Sequence, residues 1–168
     1  MRRIAVLAVP AGSIVIVATP KGLSRLILTK RRGCTALALA RRLCPEARHE
    51  PNLLPGLQRQ LSVYFGGSPV HFNVRVDLSG LTAFQRQVLQ ACAEIPYGRT
   101  VTYGELARRV GRKSAARAVG AVMARNPVPI VIPCHRVVAS NGSLGGYSAE
   151  QGVTLKRRLL AIEARAVR

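Results

Sequence analysis

The most constrained stretch of the chain is NPVPIVIPCHRVV, residues 126–138. Its three prolines exclude a regular helix and lack the N–H groups that a central β-strand must donate. Because most of the other residues are apolar, we expect this segment to be extended, rigid and buried. It would then hold Cys134 at a fixed point near the core, with His135 directly after it.

Two interpretations of Cys134 are open from the residues alone. A thiolate is a strong, soft nucleophile suited to attack on saturated carbon, and His135 could act as its base, directly or through water. On the other hand, a lone cysteine in an apolar run is usually a small buried hydrophobic residue. Adjacent residues on a regular strand also point to opposite faces, which opposes a direct pairing of thiol and imidazole.

Upstream of this segment, apolar spacing predicts three helices, at 82–95, 102–110 and 114–125. The residue expected to cap the third helix is Ser114. A short turn containing Gly111 joins the second helix to the third, which is typical of a helix-turn-helix unit.

The third helix is predicted to have two different faces. The face expected to pack inward consists of Ala115, Ala118, Val119 and Val122. The opposite face has small side chains and a single cation, and consists of Ala116, Arg117, Gly120, Ala121 and Ala124. Such a face would let the helix backbone lie close to a surface while one long cation projects from it.

The charge balance indicates a polyanionic partner. The chain has 26 Lys and Arg against 7 Asp and Glu, a formal net charge of +19. Nucleic acid is the first candidate and an anionic membrane surface the second, whereas an arginine-rich genome is the plain alternative. The candidate phosphate contacts around the helix-turn-helix are Arg99, Arg108, Arg109, Arg112, Lys113 and Arg125.

Cysteine usage and hydropathy limit the remaining classes. The four cysteines are scattered without a CxxC pair, which predicts reduced thiols rather than a disulfide framework. The metal-ligand types Cys34, Cys44, His49 and His71 form only a loose set, and we predict no metal. No segment approaches the roughly 20 apolar residues needed to cross a bilayer, so we expect a cytoplasmic, DNA-associated protein.

The first half of the chain predicts a small sheet with helices. Three β-rich runs within 4–29 indicate an antiparallel meander, helices are expected at 35–44 and 54–65, and a further strand at 71–78. The expected fold class is therefore α+β. An N-terminal α/β subdomain, residues 1–79, would precede a mostly helical C-terminal subdomain, residues 80–168.

The second half resembles the O6-alkylguanine-DNA alkyltransferase family. IPCHRV (132–137) resembles the family's active-site signature, and IPYGRTVTYGELA (95–107) resembles its first helix and the lead-in to it. AARAVG (115–120), followed by Asn126-Pro127, resembles its recognition helix and hinge, and GGYS (145–148) its substrate-site loop. This resemblance implies a ribonuclease H-like first subdomain and a winged-helix-like second one.

The resemblance also implies a reaction. An alkyl group would pass irreversibly, once per molecule, from O6-alkylguanine in duplex DNA to the protein after base flipping, with O4-alkylthymine open as a second substrate. The residues that match the transfer machinery are Cys134, the alkyl acceptor; His135, the base acting through water; Glu163, which orients that histidine; Tyr103, which helps rotate the phosphate and protonates the leaving guanine; and Asn126, the hinge. No cofactor is implied, and the protein would act as a monomer.

Binding residues follow from the same match. Those expected at DNA are Arg117, the finger that fills the gap in the duplex, with Ala116, Gly120, Ala121, Tyr103 and Arg125. Those expected around the guanine are Met123, the carbonyl of Val137, which would accept from the amino group, Tyr147 and Ser148. For Met123 and Tyr147 a packing role is the open alternative.

Three competing functions make distinguishable predictions. A transcription regulator would use the helix-turn-helix without chemistry and would leave Cys134 unexplained. A Cys–His hydrolase would need an oxyanion hole and usually a histidine distant in sequence, for which only His49 and His71 are available. A non-catalytic branch of the alkyltransferase family lacks the acceptor cysteine, which is present in this chain.

Overall fold

The computed structural model describes residues 1–147 and 149–166. It divides the chain into two compact units, residues 1–79 with 149–151, and residues 80–148 with 152–168. No helix among the described residues is both long and apolar enough to cross a membrane. Within residues 1–147 and 149–166, no three His, Cys, Asp or Glu side chains gather into a metal site.

The first unit is a four-stranded sheet with two helices. Its elements are β1 (Arg3–Val9), β2 (Gly12–Thr19), β3 (Gly22–Thr29), α1 (Gly33–Leu43), β4 (Arg48–His49) and α2 (Pro55–Phe65). The strand order is β3-β2-β1-β4, antiparallel except that β4 runs parallel to β1, which confirms the predicted meander. Ile4, Val15 and Val17 of the sheet pack with Ala40 of α1 and with Cys44 in one buried cluster.

The predicted strand at 71–78 is wrong. This segment makes a single isolated bridge, between Leu23 and Val76. Gln60 of α2 donates to the carbonyl of His71 at 2.8 Å and accepts from the backbone of Asn73 at 3.3 Å. Because a helix side chain already satisfies these backbone groups, a continuous ladder does not form there.

The second unit is mostly helical. Its elements are α3 (Ala83–Ala93), β5 (Val101–Thr102), α4 (Tyr103–Arg109), α5 (Ala116–Ala124), a 3-10 turn (Cys134–Arg136), β6 (Val137–Val138) and α6 (Gly152–Ala166). Strands β5 and β6 pair in parallel. The three helices predicted from spacing are confirmed, and Thr82 and Thr102 begin α3 and α4 with capping boxes.

The start of α5 differs from the expectation. Ala115 occupies the N-cap position without a side-chain cap, so Ser114 does not cap this helix. The backbone N–H of Ala115 donates to the carbonyl of Arg112 at 2.9 Å. Ser114 therefore lies within the turn that precedes α5.

Candidate active site

A cavity of about 450 Å³ opens onto Cys134 within the second unit. Its walls come from α4, α5, the 3-10 turn and the loop before α6, and consist of Tyr103, Gly120, Met123, Ala124, Cys134, Gly145, Gly146 and Tyr147. This volume lies within the range of small-molecule sites. The structure thus brings together the predicted acceptor, Tyr103, Met123 and Tyr147.

The segment that precedes Cys134 is buried but not uniformly extended. Ile130 has a left-handed φ of 75°, and the N–H of Ile132 donates to the carbonyl of Val128 at 2.9 Å, so the chain folds back on itself. Buried Asn126 secures this turn from inside. Its Nδ2 donates to the carbonyl of Ile132 at 2.8 Å, and its Oδ1 accepts from the N–H of Val128 at 3.1 Å. Asn126, which follows α5, is thus bonded to the segment that leads to Cys134.

The 3-10 turn removes the objection based on strand geometry. Cys134 and His135 begin a helical turn rather than occupy alternate positions of a strand, so their side chains need not point to opposite faces. Cys134 is 3% exposed. Burial raises the pKa of its thiol, and the amide of Asn126, the charge of Lys156 and the hydroxyl of Tyr147 act in the opposite direction.

His135 belongs to a buried ionic network. Its Nε2 lies 2.7 Å from Oε1 of Glu163, and Arg136 donates from Nε to Oε2 of the same carboxylate at 3.0 Å. The N–H of Gly98 also donates to Oε2, at 2.9 Å. Burial alone would raise the pKa of Glu163, but the hydrogen bonds from His135 and Arg136 outweigh it and lower that pKa to about 2. Glu163 is therefore a carboxylate that orients the imidazole.

The protonation state of His135 suits a base. Burial lowers the pKa of the imidazole, although the hydrogen bond and charge of Glu163 oppose that effect. A neutral ring donates its Nε2–H to the carboxylate, which makes Nδ1 the accepting nitrogen. This is the tautomer that can take a proton from a thiol through water.

Tyr103 is held in a narrow slot beside the thiol. A Cβ at Gly120 would lie 3.9 Å from its ring, and a Cβ at Gly145, where φ is +64°, would lie 3.0 Å from its hydroxyl. Nζ of Lys156 lies 5.8 Å from the ring centroid. Burial raises the pKa of Tyr103, so the hydroxyl keeps its proton at neutral pH. Two glycines thus permit the tyrosine to lie against both walls of the cavity.

Two buried cations were not predicted as site residues. Arg136 clamps Glu163, and Lys156 donates from Nζ to the carbonyl of Val137 at 2.7 Å. Val137 was expected to accept from the guanine, and its carbonyl has a second lone pair for that purpose. The sequence did indicate that Lys156 is buried, because Lys156 and Glu163 are seven residues apart and share a helix face with apolar Leu159.

The exposure of α5 corrects the predicted faces in part. Val119, Val122 and Met123 are buried. Ala118, expected to pack inward, is exposed, because the buried side of the helix is centred on Val119. The residues that face outward are Arg117, Ala118, Ala121, Ala124 and Arg125, whereas Ala116 and Gly120 are half-buried. Ser148, predicted at the guanine, lies outside the described residues.

The amino-acid sequence is similar to one protein family and to several methyltransferases. The family described as "6-O-methylguanine DNA methyltransferase, DNA binding domain" matches residues 83–165. A methylated-DNA–protein-cysteine methyltransferase of Mycolicibacterium paratuberculosis is 45% identical over 115 residues, which cover 68% of each chain. One of Methanosarcina acetivorans is 48% identical over 105 residues, covering 62% of this chain and 65% of its own.

Solved structures match both units. The crystal structure of Mycobacterium tuberculosis OGT in complex with DNA has a TM-score of 0.83 at 34% identity, covering 98% of this chain and 94% of that one. The O6-methylguanine-DNA methyltransferase of Pyrococcus kodakaraensis has a TM-score of 0.68 at 28% identity, covering 97% and 99%. These matches confirm the predicted α+β fold class. With a 45% identical relative matched over two thirds of its length, this chain belongs to the methylated-DNA–protein-cysteine methyltransferase family.

Proposed function

We propose that the chain repairs alkylated DNA by moving a methyl or larger alkyl group from O6 of guanine to Sγ of Cys134. The observation that carries this proposal is the position of Cys134 in the wall of a cavity of about 450 Å³, directly beside the buried pair of His135 and Glu163. Family membership supports the class of reaction. The assignments of Cys134, Tyr103 and Met123 are supported by their position around the cavity, and those of His135 and Glu163 by their hydrogen bond.

The proposed transfer is a single displacement. The thiol proton passes through water to Nδ1 of His135, and the thiolate attacks the alkyl carbon. The S–C bond forms as the C–O6 bond breaks, and its electron pair leaves with the guanine. The guanine takes a proton from the hydroxyl of Tyr103, which recovers one from solvent, while His135 releases its own. The thioether product is stable, so each molecule would act once.

The proposed DNA surface is the exposed side of α5. Small side chains at Ala118, Ala121 and Ala124 would let this helix approach the minor groove closely, and Arg117 would enter the duplex in place of the extruded nucleotide. Flipping a nucleotide costs a few kcal/mol, least for a weakly paired base. The outward cations near α4 and α5 would contact phosphates without reading sequence.

The cavity would receive the flipped guanine. We assign Met123 and Tyr147 to its walls and the second lone pair of the Val137 carbonyl to the guanine amino group. Ser148 stays a proposed contact to O6. We also propose a cytoplasmic location, supported by four free cysteines, and a ribonuclease H-like fold for the first unit.

Peptide-resolved mass spectrometry tests the proposal. The protein is mixed with a duplex oligonucleotide that contains one O6-methylguanine, and a gain of one methyl group on the Cys134 peptide, at most one per molecule, is expected. Exposed Cys34 serves as an internal control, because non-specific alkylation would modify this accessible thiol first. The absence of a methyl group from Cys134, in folded protein that binds the duplex, would instead favour a binding-only regulator.

A further inference from the structure

Lys156 of α6 is fully buried, which is rare for lysine. Its Nζ donates to the carbonyl of Val137 at 2.7 Å and also to the carbonyl of Leu144, and it faces the ring of Tyr103. Two carbonyl oxygens and the negative face of an aromatic ring all attract a positive charge. The site is therefore built for an ammonium group rather than a neutral amine.

This cation has no carboxylate partner within ion-pair distance among residues 1–147 and 149–166. The buried carboxylate of the unit, Glu163, is bound by His135 and Arg136. An uncompensated buried charge is costly, so a protein that retains one usually places a counter-charge near it. The acidic groups that interact electrostatically with Lys156 are the thiols of Cys134 and Cys92.

We propose that Lys156 is a positioning residue for the transfer: its ammonium group is the counter-charge of the Cys134 thiolate, and it fixes the Val137 carbonyl that accepts from the guanine. This inference rests on the proposed function. Proton loss from the thiol creates a negative charge inside the unit, and Lys156 stabilises that charge before the thiolate attacks. Of the two lone pairs on the Val137 carbonyl, Lys156 uses one and so directs the other.

The remaining groups around the thiol do not supply this charge. Arg136 is paired with the carboxylate of Glu163, and His135, which burial keeps neutral until it takes the thiol proton, is hydrogen-bonded to the same carboxylate. Burial raises the pKa of Tyr103 and Tyr147, and it raises that of Cys92 on α3, so these three groups stay neutral. Asn126 contributes a hydrogen bond but no charge.

The effect of Lys156 on the thiol has the sign that this role requires. Its charge lowers the pKa of Cys134, against the upward shift caused by burial. Burial lowers the pKa of Lys156 itself, and the charge of the Cys134 thiolate acts in the opposite direction. This reciprocity is expected of two groups that stabilise each other's ionised form.

The test measures how fast Cys134 reacts as a function of pH. DNA-free protein is treated with iodoacetamide between pH 6 and 11, a range that extends above the raised pKa of the buried thiol, and the Cys134 peptide is quantified by mass spectrometry. K156M removes the charge and both hydrogen bonds, whereas K156Q removes the charge and keeps an N–H donor. The matched control is R157M, which removes one positive charge from an exposed position of the same helix.

The expected result is a midpoint about one pH unit higher in both K156M and K156Q, with about a tenfold slower reaction at pH 7 and convergence with wild type at high pH. R157M should keep the wild-type midpoint. A rate reduced equally at every pH, or an unchanged midpoint in folded K156Q, would overturn the inference. Methyl transfer from DNA to wild-type Cys134 is scored separately, so failure of the proposed function is distinguished from failure of this inference.

Discussion

The substitution E163Q tests whether the buried network holds the second unit together. The fall in the pKa of Glu163 from 4.5 to about 2 corresponds to about 3 kcal/mol of stability at neutral pH. Removing one partner of a buried ion pair costs about 3–5 kcal/mol, because the other charge is left uncompensated. Arg136 would be that charge, being 6% exposed. We therefore expect E163Q to lower the free energy of unfolding by about 3–5 kcal/mol at pH 7.

Urea unfolding followed by circular dichroism measures this loss. The matched control is E94Q, since Glu94 is an exposed glutamate of the same unit, and it should change the free energy by less than about 0.5 kcal/mol. At pH 7 burial keeps His135 neutral by lowering its pKa, so the difference reports mainly on the Glu163 charge and its hydrogen bonds. The same variant should slow alkyl transfer, because the imidazole loses the group that orients it.

The pH dependence gives a second, independent check. A carboxyl whose pKa is lower in the folded protein contributes stability above its unfolded pKa and loses it as the pH falls through the folded value. For Glu163 this window runs from about 4.5 down to about 2. The difference between wild type and E163Q should therefore narrow across that window. A difference below about 1 kcal/mol at pH 7, or one that stays constant in acid, would refute the assignment.

Three further changes have defined outcomes. N126A should lower the free energy of unfolding by about 1–3 kcal/mol, because the buried N–H of Val128 loses its partner and the carbonyl of Ile132 keeps only the bond from the N–H of Cys134. N52A, at an exposed position, should not change this free energy, and thermal unfolding compares the two variants. In G145A the added Cβ would lie 3.0 Å from the hydroxyl of Tyr103, so the tyrosine must shift and the cavity that both residues line becomes narrower. G145A should therefore slow the transfer of benzyl groups more than that of methyl groups. G146A, whose Cβ meets nothing within 4 Å, is the control, and equal slowing of both alkyl groups would contradict the steric argument. Binding of undamaged duplex should weaken steeply with salt, and titrations that show no such dependence would exclude phosphate contacts.

Local signals in the sequence predicted the elements that depend on local interactions. The three strands of the first unit alternate around turns, and α3 and α4 begin with Thr82 and Thr102, each followed three residues later by Gln85 or Glu105. The segment 71–78 has a comparable alternating pattern but failed as a strand. At His71 and Asn73 its backbone partner is the side chain of Gln60, whereas Arg75 and Asp77 bond to the backbone of Leu23. No local pattern could indicate the contact with Gln60.

The site was predicted less directly. Spacing alone did not decide whether Cys134 is a nucleophile or a buried hydrophobic residue, and strand periodicity argued against its cooperation with His135. That argument failed because these residues form a 3-10 turn, which depends on the fold of residues 126–133. The resemblance supplied Tyr103, Glu163 and Tyr147 as candidates. It gave no role to Lys156, whose charge in a basic chain suggests exposure, and only its position on the same helix face as Leu159 and Glu163 indicated that the side chain is buried.

Burial of Cys134 raises the pKa of its thiol, and groups from several elements of the second unit act against this rise. Enclosing Cys134 protects it from water but raises the pKa of the thiol, although the reaction requires a thiolate. The side chains that lower this pKa are Asn126, Lys156 on α6 and Tyr147, and the base that would take the proton is His135, which Glu163 of α6 orients. Because α6 contributes two of these groups on one helix face, displacing this helix should disable the thiol without altering the exposed face of α5. Reactivity of the thiol and affinity for DNA are therefore expected to be separable by substitutions on α6.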